Sequence, residues 1–504
     1  MAARDPMKAA VDEKLMRETA RLSPAARPVE IALPWALALL AAGSYAVISL
    51  YRHNHFGSNA FDLGVQDQTV WGYSQLRMIP NTVAMLPNLL GDHFHPILMA
   101  VAPLYWIWND ARVLLLVQAA LLAVAGIPIF WWAQRRLGLW PAILFMCAYL
   151  SFWGILSGVV FDFHHIAFAV PAVSFALYAV LTRNDRLLWA MLAVGLLTRE
   201  NVALTFAAIG VYILLVQRRW RLGLLVAGLC SAWFILIVDV VIPAFGGSPY
   251  RHWSYDALGP GPGAALLQVL RRPLAAVALL FDNPTKLRLW GGLVGAWLFL
   301  PIFSPLFLVA IPSLLERLWS SNPLLWTASF DYSLVIAPIL AFAAIDTLQR
   351  IQSLAGHGLG RTELTVVSAA VVLAGALLSF GIAQPLADLR LAVSGPQAAM
   401  IQSCLAVIPA TSSVSASSAL LPHLSHRDTI YLLATSTDAD YVAINLTTDL
   451  QQYPAAAGPL RSTIASLQSA GYGVGCSRGT TVVLHRGAGS STLSPELAAF
   501  MAGG

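Results

Sequence analysis

The chain has 504 residues, of which 58% are hydrophobic and only 11% charged, with a formal net charge of +5. Soluble domains carry roughly a quarter charged residues, so this composition excludes a soluble enzyme and implies a polytopic membrane protein. The basic residues stand singly or in pairs between apolar runs, as loop anchors do, and not in clusters that would bind nucleic acid.

A spanning helix needs about 20 apolar residues, and positive charge marks its cytoplasmic end. Met1–Pro28 is polar and basic and lacks a small-residue cleavage site, so residues 1–30 read as a cytoplasmic tail rather than a signal peptide. Ile31–Leu50 is the first span and leads outward. An external loop, residues 51–111, follows; its apolar stretch His95–Trp108 is short and broken by proline, as an interfacial segment would be. Arg112–Ala133 returns inward to Arg135–Arg136, Gly138–Val160 goes out, and Ile166–Leu181 comes back. Leu187–Gln217 has cytoplasmic charge at both ends and Arg199–Glu200 in its middle. A single span cannot begin and end on one side, so the stretch reads as a hairpin of two short helices with Thr198–Asn201 at its outer tip. Arg221–Ile242 goes out to a second external loop, residues 243–286, in which Ala264–Phe281 reads as a surface helix. Leu287–Phe303 and Pro305–Trp319 form another hairpin, and Leu334–Ala344 and Thr365–Ala383 complete about eleven crossings. The membrane domain thus covers residues 31–384.

From residue 385 onward Ser, Thr, Gly and charged residues rise, and the runs TIYLLAT, DYVAINL and TTVVLHR have strand character. Residues 385–504 read as a small extracytoplasmic α/β domain. On that side of the membrane Cys404 and Cys476 are free to pair with one another, whereas Cys147 and Cys230 sit in apolar runs.

Ionisable residues at membrane depth are costly and therefore suggest function. Three acid/histidine clusters stand at outer loop ends: Asp62 and Asp67, then Asp92, His93 and His95, then Asp162, His164 and His165. Asp62 and Asp67 are five residues apart, which on a helix puts them on different faces; the plainer reading of either is an N-cap or a solvated loop acid. The histidine clusters offer enough nitrogen and oxygen ligands for a divalent metal, with Asp92, His93, Asp162 and His164 as its set, and equally enough donors for a phosphate. Histidines at such junctions also occur as plain interfacial residues. A guanidinium such as Arg199 suits bidentate phosphate contact, against the plainer reading of an Arg199–Glu200 salt bridge between half-helices.

FDLGVQDQ, DHFHPILMAVAPLYWIW, LLLVQAALLAVAGIPIFWWA, FDFHHIAFAVP, TREN and YSLVIAPILAFAA, in that order over Phe56–Ala344, resemble an uncharacterised family of bacterial polytopic membrane proteins. That family is similar to the GT-C superfamily of glycosyltransferases. The chain departs from the family pattern at His165, where Pro is usual, at Arg199–Asn201, where Lys-Glu-Asp is usual, and at Asp331, where His is usual. The resemblance implies an α-helical GT-C-like membrane protein that moves a sugar from a polyprenyl-phosphate donor to a cell-envelope glycan or lipid acceptor outside the cytoplasm. A carboxylate close after the first span would be the base, the place of Asp62. Asp62, Asp67 and Asp92 are thus the catalytic candidates. His93, His95, Asp162, His164, His165, Arg199, Glu200 and Tyr332 are the candidates for substrate and phosphate contact. Two other classes fit parts of the pattern. A transporter or flippase would also have broken helices with central charge, but should show two related halves, and no internal repeat is visible. A non-catalytic assembly scaffold would use its C-terminal domain to bind a partner.

Overall fold

The computed structural model describes residues 26–354, 360–383, 389, 392–451, 457–489 and 492–503. The expected tail before Ala26 and the expected domain boundary at 384–385 lie outside these residues.

Among the described residues, five helical stretches are long and apolar enough to cross a bilayer: Glu30–Asn54, Arg112–Leu137, His165–Thr182, Trp220–Gly246 and Arg361–Gly381. The pair Leu139–Leu150 and Trp153–Val160, bent by 41°, makes a sixth if it is one span. The remaining expected crossings are shorter or broken. We label the helices used below α1 (Ala26–Asn54), α2 (Val65–Ser74), α3 (Arg112–Val124), α4 (Asp185–Leu196), α5 (Val202–Leu215), α6 (Trp220–Leu236), α7 (Pro262–Arg271), α8 (Pro273–Ala278) and α9 (Ile311–Leu318). The hairpin inferred from charge parity is present as α4 and α5, 12 and 14 residues long, with Thr198–Asn201 in the turn between them. The first arm of the second hairpin begins as a helix over Pro284–Gly295; Pro301 and Pro305 then break the chain into short turns before α9, because proline cannot donate to the helical ladder.

After residue 392 the chain forms a five-stranded sheet, order β2-β1-β3-β5-β4, with β1 (Val414–Ala416) parallel to β2 (Ile430–Leu432) and β3 (Tyr441–Asn445). β4 (Tyr472–Arg478) and β5 (Thr481–Arg486) add antiparallel pairs. The three strand-like runs became β2, β3 and β5; β1 and β4 are too short or too Gly-rich to stand out. Cys404 and Cys476 form a disulfide across this unit, Cα–Cα 5.5 Å.

One face of the sheet buries Leu460, Ile464, Leu467 and Leu497 of its own helices. The other face shares a core with the first loop of the membrane part: Val414, Ala416, Leu421 and Ile430 pack with Phe56, Ala60, Val65, Val83 and Leu86. The fit is close, since a Cβ on Gly64 would lie 2.5 Å from Leu421 Cδ2. The Ser418 hydroxyl accepts from the Ala60 amide at 3.1 Å. The C-terminal sheet is therefore the bed on which the Asp62 loop rests.

Candidate active site

Asp62 lies in a π-helical turn, Ala60–Gly64, that leads into α2. The turn is held from behind by Asp162. That carboxylate is buried, accepting from Arg52 Nη1 at 2.5 Å and from the Asn59 amide at 2.6 Å. Asp162 thus ties the end of α1 and the start of the Asp62 turn to the FDFHH segment. Gln118 on α3 shapes that segment, donating to the carbonyls of Gly158 and Asp162 and accepting from the His164 amide. The result brings His164 Nε2 to 3.1 Å from Asp62 Oδ1, with both side chains about one-sixth exposed (16% and 17%). Burial works against the His164 charge, but the carboxylates of Asp331 and Asp62 outweigh it and hold the imidazolium up to about 9. Phe161 stacks on His164, and Phe161, Phe330 and Tyr332 form an aromatic shelf beside the pair.

A second cluster forms around the α4–α5 turn. Glu200 accepts from His93 Nδ1 at 2.7 Å, from the Phe94 amide at 3.1 Å and from the Tyr250 hydroxyl at 3.2 Å. Arg199 Nη2 donates to His93 Nε2 at 3.2 Å, so both His93 nitrogens are engaged. Burial and the Arg199 charge lower the His93 pKa, as a neutral acceptor ring requires. Asp92 accepts from Arg251 Nη2 at 3.0 Å and His252 Nε2 at 3.1 Å, and the His252 ring stacks on His93 with centroids 4.1 Å apart. Two glycines allow this meeting of loops: a Cβ on Gly91 would stand 2.2 Å from Gly246 Cα, inside any contact distance.

His95 and His165 pack with ring centroids 4.5 Å apart, and His165 lies 5.9 Å from His93. Burial lowers the His95 pKa to about 4. His95 Nδ1, His165 Nε2 and Arg199 Nε are buried without a hydrogen-bond partner among the described residues. Asp67 goes elsewhere. It is fully buried, accepting from the hydroxyls of Tyr105 and Ser425 and from His426 Nε2 at 3.0 Å, in the joint with the C-terminal sheet.

The second cluster borders a polar cavity of about 400 Å³, lined among others by His93, Arg199, Arg251, His252, Asp331 and Tyr332; the Asp62–His164 pair is outside its lining, and Tyr332 of the aromatic shelf is the link between them. Next to the polar cavity lies an apolar cavity of about 900 Å³ between α5, α6, α7 and α9. Asn201, Tyr250, His252, Trp253, Tyr255 and Glu316 line both. Tyr250, Arg251 and His252 are not among the site residues expected from the sequence. The density of PYRHWSY (Pro249–Tyr255), with one Arg, one His and three aromatics in a Gly/Pro-rich loop, was the signal for them.

The four residues expected to form a metal set divide between the clusters: Asp162 pairs with Arg52 and His164 with Asp62, while Asp92 and His93 stand by Arg199. Among the described residues, Asp92, His93 and His252 have ligand atoms within 4.8 Å of one another. Arg251 and Arg199 already donate to Asp92 and His93, so a cation there would face two guanidiniums. The donor set as built suits an anion better.

The chain matches, over residues 52–473, a family described as Predicted membrane protein (DUF2079). It belongs to that family. No curated protein matches it by sequence. Its fold is similar to two crystal structures of ArnT from Cupriavidus metallidurans. The one bound to undecaprenyl phosphate superposes with a TM-score of 0.54 at 15% identity, over 92% of this chain and 99% of that one. The apo form gives 0.52 at 14% identity, over 91% and 98%. The family member described here therefore has a GT-C-like fold.

Proposed function

We propose that the protein is a GT-C-type membrane glycosyltransferase, taking a sugar from a polyprenyl-phosphate donor to an extracytoplasmic envelope acceptor. One observation carries the reading: an apolar cavity bordered by apolar helices adjoins, across six shared wall residues, a polar one lined by Arg199, Arg251 and His252. An isoprenoid chain fits the first, and a phosphate between guanidiniums fits the second. The fold neighbour crystallised with undecaprenyl phosphate supports this assignment of ligand.

In this reading Asp62 takes the proton from the acceptor hydroxyl as its oxygen attacks the anomeric carbon. The bond from that carbon to the phosphate oxygen breaks, and Arg199 and Arg251 offset the charge that develops on the leaving phosphate. Direct displacement inverts the anomeric centre. His164 holds one Asp62 oxygen and leaves the other for the acceptor. Asp331 and Tyr332 stand between base and phosphate, on the wall of the polar cavity. The bound disulfide partners Cys404 and Cys476 support an oxidising, extracytoplasmic setting for the C-terminal sheet, with the N-terminus in the cytoplasm.

The test is product formation by the purified protein in lipid nanodiscs, given a polyprenyl-phosphate sugar and an envelope lipid extract as acceptor. Transfer by the wild type and its loss in Asp62→Asn are expected. Binding of the donor without any transfer, together with movement of the donor between leaflets, would overturn the reading in favour of a flippase.

A further inference from the structure

Six large apolar side chains are exposed in the second external loop: Leu266, Leu267, Leu270, Leu274, Val277 and Phe281. Leu266 and Leu270 stand one turn apart on α7 and Leu274 and Val277 one turn apart on α8, giving each helix an exposed apolar stripe on either side of the break at Arg272, with Phe281 just past α8. Leu266, Leu270 and Leu274 are 63%, 69% and 85% exposed, although Leu is the residue a soluble surface helix keeps inside. The opposite side of the same segment is well seated: Ala265 and Ala276 pack with Leu258, Trp253, Tyr255 and Trp319. Trp319 Nε1 also donates to the Ala276 carbonyl at 2.9 Å. The exposed stripe is therefore a feature of a docked element and not of a loose one. Arg271 and Arg272 flank it, exposed, at the break between the two helices.

Two relations say what covers the stripe. In chain order the segment lies between α6, whose Leu224, Leu225, Leu229 and Ile235 are exposed, and the helix that begins at Pro284. Its exposed leucines match those of α6, which belongs to a stretch, Trp220–Gly246, long and apolar enough to cross a bilayer. An amphipathic helix with apolar residues on one side and arginines at their margin fits the boundary between acyl chains and headgroup phosphates. In addition, Ala265, Leu266 and Val269 of α7 line the apolar cavity of about 900 Å³. Leu266 is thus both part of the stripe and part of the cavity wall.

We propose that residues 262–281 lie in the bilayer surface and form the lipid-side wall of the entrance through which the carrier's isoprenoid chain reaches the apolar cavity. The partner is the bilayer itself: acyl chains against the stripe and headgroup phosphates against Arg271 and Arg272. The second part rests on the reading of that cavity as the carrier site; the first part does not.

Two measurements on the full-length protein in phosphatidylglycerol-containing vesicles test it. A fluorophore attached through Leu274→Cys should be quenched by lipids carrying a quencher near the headgroup and shielded from aqueous iodide. Iodide quenching equal to that of a free label would overturn the membrane seat. The double variant Leu270→Glu, Leu274→Glu changes exposed positions outside the cavity and should fold. It should slow association of a long-chain polyprenyl phosphate by about tenfold and leave that of a short, water-soluble prenyl phosphate within about twofold, because only the long chain must pass the wall from the bilayer. Equal slowing for both ligands, or for neither, would overturn the entrance role. If the wild type binds neither ligand, the carrier reading fails while the label still reports the membrane seat.

Discussion

His164 Nε2 stands 3.1 Å from Asp62 Oδ1, although the two residues are 102 positions apart. The contact exists because Asp162, two residues before His164, is itself clamped to Arg52 and to the Asn59 amide just ahead of the Asp62 turn. One buried carboxylate therefore sets the position of another that remains accessible.

Asp62→Asn keeps the size of the side chain and its hydrogen bond to His164 but removes the basic oxygen. Turnover should fall by about 10²–10⁴-fold, the usual worth of a general base, while binding of polyprenyl phosphate stays within about twofold. Turnover of purified variants checks this, and near-wild-type turnover would reassign the base.

His164 makes stability depend on pH in a definite direction. Its value rises from 6.5 in the unfolded chain to about 9 in the fold, so its contribution is complete below about 6.5 and is lost as pH rises through about 9. Thermal unfolding of the wild type should therefore drop between pH 7 and 9.5 more steeply than that of His164→Gln. Parallel curves for the two proteins would contradict the pairing.

Arg199 contacts a bound phosphate in ground and transition states alike in the proposed mechanism. Arg199→Ala should raise the KM for the donor by roughly tenfold to a hundredfold, the range of a charged hydrogen bond, with a smaller change in kcat. Arg199→Lys, which keeps the charge but loses the fork, should recover only part of the affinity. A loss confined to kcat would place Arg199 outside the carrier site.

Asp67 is fully buried and accepts from Tyr105, Ser425 and His426 in the joint between α2 and the C-terminal sheet. Asp67→Ala leaves those donors unpaired and should cost on the order of 1–3 kcal/mol, visible as earlier proteolysis of the C-terminal sheet. Carrier binding by the folded fraction should be unchanged. Loss of turnover at unchanged stability would instead give Asp67 a catalytic role.

If the C-terminal sheet lies outside the cytoplasm, its disulfide is oxidised in cells. Alkylation without reductant should then leave Cys404 and Cys476 unmodified. Reduction should lower the stability of that unit by about 2–4 kcal/mol, as expected for a bridge closing a loop of this order. Fusion reporters that put the C-terminus in the cytoplasm would overturn the orientation.

Membrane class, the run of apolar segments, the α4–α5 hairpin and the presence of a small C-terminal unit containing a sheet were legible in the linear sequence. They depend on hydropathy, on charge at segment ends and on residue spacing, which are local quantities. Of the three acid/histidine clusters, one reaches the wall of the polar cavity, through His93. What the residues could not reveal by themselves was the partner of each charged group. Asp62 and Asp67 look alike in sequence, yet one stays partly exposed beside His164 and the other is sealed by Ser425 and His426 from the far end of the chain. Asp162 resembled a ligand and is a clamp, because Arg52 happens to end its helix beside it. Tyr250, Arg251 and His252 join the site only because Gly91 and Gly246 let two loops touch. Such pairings depend on contacts between residues some 100 to 360 positions apart, and the energy of a buried charge is decided by the partner it meets there. Local pattern determines which segments enter the membrane; only the packed structure decides which carboxylate is left free to act.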